Sequence, residues 1–429
     1  MTDNARQYEL VLLGATGYTG KLTAEWISTN LPADMKWAIA GRNGKKLQGV
    51  IDELKALNPD RKQPAIETCE LKIDQLLPLA KKTRLIIATI GPFMHHGEPA
   101  LAACAESGTH YLDCTGEVPW IYDMIEKYHS TAQKNGAIII PECGIDSVPA
   151  DLTTFALTNH IRKTLNAPTA NVILSLVDFN SGISGGTSLT ILELFNEYSL
   201  SKMATALQPF SLSPVQPAPA AKTPRGSVLY RLLGLLNLPE LGGIQTTHVM
   251  ASVDTCITHR SWGLYETSAK DTSNPLLSYG PRFRFEEHMR VKSLVAGLAM
   301  NIGVTLFGIL FAFPPSRWIL APLIKRFVIP QPGQGPSKEA MKKEFMSYRA
   351  IGYADTEMQE KVLATLDVAQ GGYGATAMTL SAAAAVILRG RLGETEAGRL
   401  GGGILTPATL GEQLTQKLDE FGMKIKCGV

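Results

Sequence analysis

An α/β fold, with a parallel sheet wound on both faces by helices at the N-terminus and a second α+β domain behind it, is what three features of this 429-residue chain predict. The apolar run Leu10-Val11-Leu12-Leu13 enters Gly14-Ala15-Thr16-Gly17-Tyr18-Thr19-Gly20 directly, as a strand enters a tight turn that opens a helix. A second apolar segment, Lys36-Trp37-Ala38-Ile39-Ala40, stops at Gly41-Arg42-Asn43. Strand-length and helix-length segments then alternate to about residue 150, the pattern of consecutive βα units in a doubly wound sheet.

The glycines of the first turn let the backbone pass close beneath a pyrophosphate, and the helix after it aims free N–H groups and its dipole at the negative charge. The stretch from Gly14 to Gly20 is therefore expected to cradle the phosphates of a dinucleotide. At the end of the second strand a carboxylate would accept a free ribose 2′-hydroxyl, whereas an arginine accommodates a 2′-phosphate. Arg42 stands there, which favours NADP(H) over NAD(H), an ordinary solvated loop arginine being the alternative. Residues 45–57 place Leu47, Val50, Ile51, Leu54 and Leu57 on one helical stripe that should pack on the sheet. Further strands are expected near 65–71, 85–90, 111–114 and 137–141, with helices at 98–107 and 120–135 between them.

Ligands of such sheets sit at the carboxyl ends of the strands, and three of those ends carry unusual loops. Gly91 and Pro92, with Phe93, make a flat shelf suited to a nicotinamide ring, and His95-His96 beside them is either a proton donor or a solvated pair. Asp113, Glu117 and Asp146 are candidate acids, with helix capping the alternative for the last two. None stands out, and no catalytic residue is assigned.

Beyond residue 150 a strand is expected at 171–179, followed by the Gly- and Ser-rich stretch 181–187, an anion cradle or a plain turn. Tyr198 and Lys202 match the Y-x-x-x-K pair of short-chain dehydrogenases, but on the order of one chance match is expected in a chain of this composition, and the pair lies in the wrong domain. Five prolines mark 207–225 as an extended, mobile loop. Residues 293–316 hold no Asp, Glu, Lys or Arg over 24 positions, and a Pro-Pro break separates them from a second apolar run ending at Ile324. Basic residues on both sides suit a hairpin that dips into a lipid surface, with a single span or a buried helix as alternatives. Strands at 345–354 and 357–368, a helix at 375–388, a helix at 410–421 and a terminal strand complete the chain. The expected units are 1–150, 151–400 and 401–429.

Composition agrees with a globular enzyme: 45% hydrophobic and 19% charged residues support a sizeable core, and a net charge of +2 gives no reason to expect a nucleic-acid partner. Six cysteines without C-x-x-C spacing or histidine companions indicate neither a metal nor a disulfide framework. The first six residues lack the apolar core of a secretory leader.

Taken together, GATGYTG, AGRN, GPF with HGEPALAACAESGTHYLDCTGE, GIDSVPADL, SGGT, GYGATAMTL and GGILTPA resemble the saccharopine dehydrogenase-like oxidoreductases from about residue 8 to about residue 425. That family divides into saccharopine dehydrogenases, trans-acting enoyl reductases of bacterial lipid pathways, and a eukaryotic branch similar to a lipid-droplet protein, which the chain resembles most. The resemblance implies an NADP-type Rossmann domain, with Gly14, Thr16, Gly17, Tyr18, Thr19, Gly20 and Arg42 matching the cofactor motif, and a second α+β domain closing over it, and it identifies no catalytic residue. No cluster of basic side chains stands ready for the several carboxylates of saccharopine. The expectation is an NADPH-dependent reductase of an apolar, lipid or polyketide-like substrate with a polarised double bond, working at the cytoplasmic face of a lipid droplet or membrane or else in the cytoplasm, as a monomer or homodimer. The competing class is a non-catalytic NADP-binding protein at such surfaces.

Overall fold

The computed structural model describes residues 6–182, 185–221, 227–327 and 335–428, without the side chains of 185–189, 191 and 327. Six strands build the first sheet in sequence: β1 (Tyr8–Leu13), β2 (Trp37–Gly41), β3 (Ala65–Thr68), β4 (Thr83–Ala88), β5 (His110–Asp113) and β6 (Ile138–Ile140). Their order is β3-β2-β1-β4-β5-β6, all parallel, with Leu10 opposite both Trp37 and Leu85. The chain order reverses direction at β1, which opens the crevice in which such sheets bind ligands. Leu10, Val11, Leu12 and Leu13 are all fully buried, as a central strand covered on both faces requires. In the helix Gly44–Leu57 the buried stripe is Leu47, Val50 and Leu54, while Leu57 at its end is exposed.

The second sheet is mixed and is made of β7 (Thr169–Asn180), β8 (Leu236–Leu238), β9 (Gly243–Thr247), β10 (Arg284–Arg290), β11 (Phe345–Ala354) and β12 (Lys361–Val368). The C-terminal segment 401–429 serves both sheets: β13 (Gly403–Ile404) pairs with β6, and β14 (Met423–Cys427) pairs with β12. The second sheet therefore runs β14-β12-β11-β7-β10-β9-β8, and in it β7 and β10 alone are parallel. Alternation along β7 sends Val172, Leu174 and Leu176 into the main core and Ile173 into a small separate cluster with Leu238, Leu241 and Ile351.

The two halves interlock. The helix Gly372–Arg389, from the second half, lies against the first helix Tyr18–Asn30 and against β4 and β5. Its alanines permit that close approach, and Ala375, Ala377, Ala382, Ala383 and Ala384 are all buried. One apolar cluster joins Leu10 and Leu12 of the first sheet to Val172 and Leu174 of the second.

Two sequence expectations change here. The proline stretch is irregular but anchored as far as residue 221: Phe210 and Leu212 are buried, and Arg260 donates to the Leu212 carbonyl. Pro224 and Arg225, like Met1 to Ala5 of the N-terminus, lie outside the described residues. The apolar segment 293–324 forms two helices, Leu294–Ala312 and Pro314–Phe327, parted at Phe313 before the two prolines. They touch at Phe311 and Ala321, yet the first remains only 11% buried over its most apolar stretch, so it is not the buried core helix that was one alternative.

Candidate active site

The glycines of the first turn divide the labour. Gly14 adopts φ +92°, and a Cβ on it would fall 2.7 Å from the Thr89 carbonyl oxygen. A Cβ on Gly20 would overlap the Gly14 carbonyl, so Gly20 lets the helix pack under the turn. Gly17 is different: its backbone is extended (φ −79°, ψ 169°), and the nearest atom to an added Cβ is the Gly14 oxygen at 3.4 Å. Space beside Gly17 is thus left by the fold, in front of the helix N-terminus, where a phosphate belongs. Thr16 is exposed on the rim and Thr19 is half-buried in the first helical turn. Tyr18 is held elsewhere. Its hydroxyl donates to the Pro336 carbonyl at 2.6 Å, and its ring meets Tyr373 edge-on at 5.1 Å. Burial, with the negative charge of Glu344 nearby, pushes the phenol up to about 12. Residues 335–341 consequently clasp the first helix, aided by the Lys338–Glu25 ion pair at 2.7 Å.

Arg42 lies exposed at the end of β2 with no hydrogen bond or ion pair among the described residues. Asn43 beside it is occupied, accepting the Lys46 N–H at 3.0 Å to cap the next helix. Gly91 is exposed and Pro92 half-buried at the start of the short helix Phe93–His96, whose Phe93 and Met94 N–H groups both donate to Glu117, at 2.8 and 2.6 Å. Glu117 is thus a brace that fixes the Gly91-Pro92 shelf. His95 stands 3.7 Å from Glu197 and is partly exposed, which is the solvated reading. Lys202 is bound to Asp123 and lies 4.4 Å over the Tyr122 ring, so it is not the partner of Tyr198. In the stretch 181–187, Ser181 accepts the Gly372 N–H at 2.8 Å, while Ile183, Ser184 and the Thr187 side chain lie outside the described residues.

At the carboxyl ends of β5 and β6 the candidate acids Asp113 and Asp146 are joined by Glu142, His248, Asp254 and Glu287, which the sequence did not single out. Asp113 accepts from the Thr115 and Glu142 N–H groups at 2.9 and 3.1 Å and ties the two strand ends together, and burial pushes it up to about 7. Glu142 is 1% exposed, adopts φ +55°, and leaves both carboxyl oxygens unpartnered. A non-glycine residue held in that region stores strain of about 1 kcal/mol, tolerated where the surroundings fix it. Burial, then the charge of Asp254, lifts its pKa far above the carboxylate range. From the second half, His248 just past β9, Asp254 on the helix Ala251–Asp271 and Glu287 on β10 bring one nitrogen and two oxygens within 4.8 Å of one another. His248 Nδ1 is 3.0 Å from Glu287 Oε1. Asp254 and Glu287 are both raised by burial, and Asp254, facing Glu287, is pushed furthest. Asp146 beside this cluster is solvent-accessible, and surrounding protein raises its carboxyl too, with His248 pulling the other way. Met250 lies beside Gly116, so the second-half groups face the strand ends at which the shelf stands.

Comparison with known proteins places the chain in a family. Residues 10–140 match the family model for the saccharopine dehydrogenase NADP-binding domain. A Mycobacterium tuberculosis protein carrying the name trans-acting enoyl reductase is 32% identical over 442 aligned positions, covering 99% of each chain. The trans-acting enoyl reductase of Mycobacterium ulcerans is 31% identical over 440 positions, again 99% of each. Among solved structures, saccharopine dehydrogenase (L-Glu forming) from Saccharomyces cerevisiae aligns over 98% of this chain and 100% of its own with a TM-score of 0.50, at 11% identity, a likeness of fold. None of these speaks to the lipid-droplet branch. The chain belongs to the saccharopine dehydrogenase-like family of NADP-dependent oxidoreductases, together with the mycobacterial trans-acting enoyl reductases.

Proposed function

We propose that the protein reduces the polarised C=C bond of an apolar, lipid or polyketide-like acyl substrate with NADPH. NADPH supplies the hydride; the chain's part is to orient the two reactants in a closed cleft and to deliver the proton. One observation carries the choice of substrate class. Buried Asp113, Glu142, Asp254 and Glu287 gather with exposed Asp146 where groups of the two halves meet, and among the described residues no lysine or arginine forms an ion pair with any of them. Such a site is neutral when protonated and anionic when not. In neither state does it attract an amino-acid adduct bearing several carboxylates, whereas a neutral enoyl group meets no penalty. The test is NADPH oxidation by the purified full chain. Turnover with trans-2-decenoyl N-acetylcysteamine thioester and none with saccharopine is expected; turnover with saccharopine would refute the assignment.

The exposed apolar helix supports a second proposal, that the enzyme meets its substrate at a lipid surface. Helix Leu294–Ala312 has a mean hydropathy of 2.1, and Val295, Ile302 and Ile309, seven residues apart on one face, are 75%, 65% and 61% exposed. Trp318 and Ile319 continue the apolar surface on the next helix, and Arg290 and Lys292 stand just before it. Leu298 and Leu310 are half-buried, so the exposed triplet is the place to probe. Replacing Val295, Ile302 and Ile309 together by Asp is expected to release the protein from phospholipid vesicles in flotation while its Tm and NADPH affinity hold. A wild type that does not float, or a variant that still floats, refutes this proposal; a dimer dissolved by the same variant would assign the face to a second copy instead.

A further inference from the structure

We propose that His248 is the residue that protonates the substrate, through a relay with Glu287 and Asp254; this rests on the reductase reading above. His248 is the imidazole of the cleft, it is not sealed in the core (its side chain is 11% exposed), and its Nδ1 is engaged by Glu287 Oε1 at 3.0 Å. Its Nε2 makes no hydrogen bond among the described residues, and the imidazole lies close enough to exposed Asp146 to pull that carboxyl's pKa down. Behind Glu287 stands Asp254, 1% exposed, and both carboxyls keep one oxygen without a partner. A partly exposed histidine held by a buried carboxyl at one nitrogen and left without a protein partner at the other has the layout of a general acid or base.

The protonation states agree with the direction of transfer. Burial lowers the His248 imidazole and raises Glu287 and Asp254, which favours protons on the carboxyls over a charged imidazole. The imidazole also feels the charge of Asp146, while Glu142 from the loop after β6 is near Asp254, and Tyr348 of β11, its phenol raised by burial and by the charges of Glu287, Asp254 and Asp146, stands on the carboxyl side of the set. Hydride transfer to the β-carbon turns the π pair of the C=C bond into a carbanion at the α-carbon, conjugated with the carbonyl. The Nε2–H proton of His248 then forms the new α C–H bond, the Glu287 proton moves to Nδ1, and a carboxylate is left behind. NADPH is oxidised by two electrons and the C=C bond is reduced by two. Nε2 regains a proton from solvent after product leaves, and the set returns to its starting state.

The test separates the hydride step from the proton step. With the full chain, NADPH and trans-2-decenoyl N-acetylcysteamine thioester in D2O, wild type should place deuterium on one face of the α-carbon. His248→Gln should bind NADPH within about twofold of wild type and lose roughly 100-fold or more in kcat, the scale of a lost general acid. With 1-nitrocyclohexene, whose hydride adduct is a stable nitronate, His248→Gln should still oxidise NADPH but release the nitronate unprotonated; a merely structural histidine would not split the two steps. Glu287→Gln should lie between the two enzymes. Retention of kcat within about threefold, or unchanged facial selectivity in His248→Gln, would overturn the relay. So would loss of wild-type turnover on EDTA treatment with recovery in Zn2+, because the same three side chains would then be metal ligands. An inactive wild type on both probes would instead overturn the reductase reading, and the relay with it.

Discussion

Gly17→Val should abolish NADPH binding and leave the protein folded. The backbone at Gly17 is extended, a conformation valine favours, and a Cβ there has no fold atom closer than the Gly14 oxygen at 3.4 Å. The isopropyl group would therefore occupy the space before the first helix rather than clash within the turn. Because it displaces the pyrophosphate from the helix N–H groups, it removes the main anchoring contact and not a single hydrogen bond, and affinity should fall by roughly 100-fold or more. Fluorescence titration with NADPH and a thermal melt check both halves, with Tm expected within about 3 °C of wild type. Gly20→Ala is the contrast: its Cβ would overlap the Gly14 carbonyl, so that variant should lose stability first. Unchanged NADPH affinity in a folded Gly17→Val protein would remove the cradle.

Arg42→Ala should weaken NADPH while sparing NADH. A hydrogen bond to a charged group contributes about 1.5 to 3 kcal/mol, and Arg42 is solvent-exposed, so the lower end applies, roughly a tenfold rise in Kd. Being a contact between exposed charges, it should also weaken as salt is raised, through screening. NADH carries no 2′-phosphate, and its Kd should move by less than about twofold. Equal losses for both cofactors would mean that Arg42 acts on the fold and not on the phosphate.

Much of the first sheet was legible because its signals are local. Leu10 to Leu13 run straight into the glycine turn, and Ala38 to Ala40 into Arg42, so each strand and the loop that ends it are encoded within a few residues. The proton relay was not legible, because it is assembled from places far apart in sequence: His248 just past β9, Asp254 on a helix, and Glu287 on β10, facing Glu142 after β6. A trace did exist. In Arg284–Arg290 the alternation that buries Phe285 also buries Glu287, so an acid sits on the apolar face of a strand. That segment is so rich in charge that hydropathy does not present it as a strand. β13 was invisible for the opposite reason, being two residues after a glycine run, supplied to the first sheet from the far end of the chain. The clasp of 335–341 on Tyr18 is likewise a contact between residues more than three hundred positions apart, so Tyr18, which matches the cofactor motif, is bound through its side chain to the second half.

Passage of hydride from NADPH to the β-carbon of a neutral enoyl group is the claim on which the proposed function depends. It is tested most directly by giving the full chain NADPH deuterated at C4 of the nicotinamide, on each face in turn, with trans-2-decenoyl N-acetylcysteamine thioester, and reading the decanoyl product by mass spectrometry and NMR. One deuterium is expected, at Cβ, from one of the two labelled cofactors, and none at Cα. Product without the label, or cofactor that stays bound and unconsumed while the thioester is unchanged, would contradict the claim.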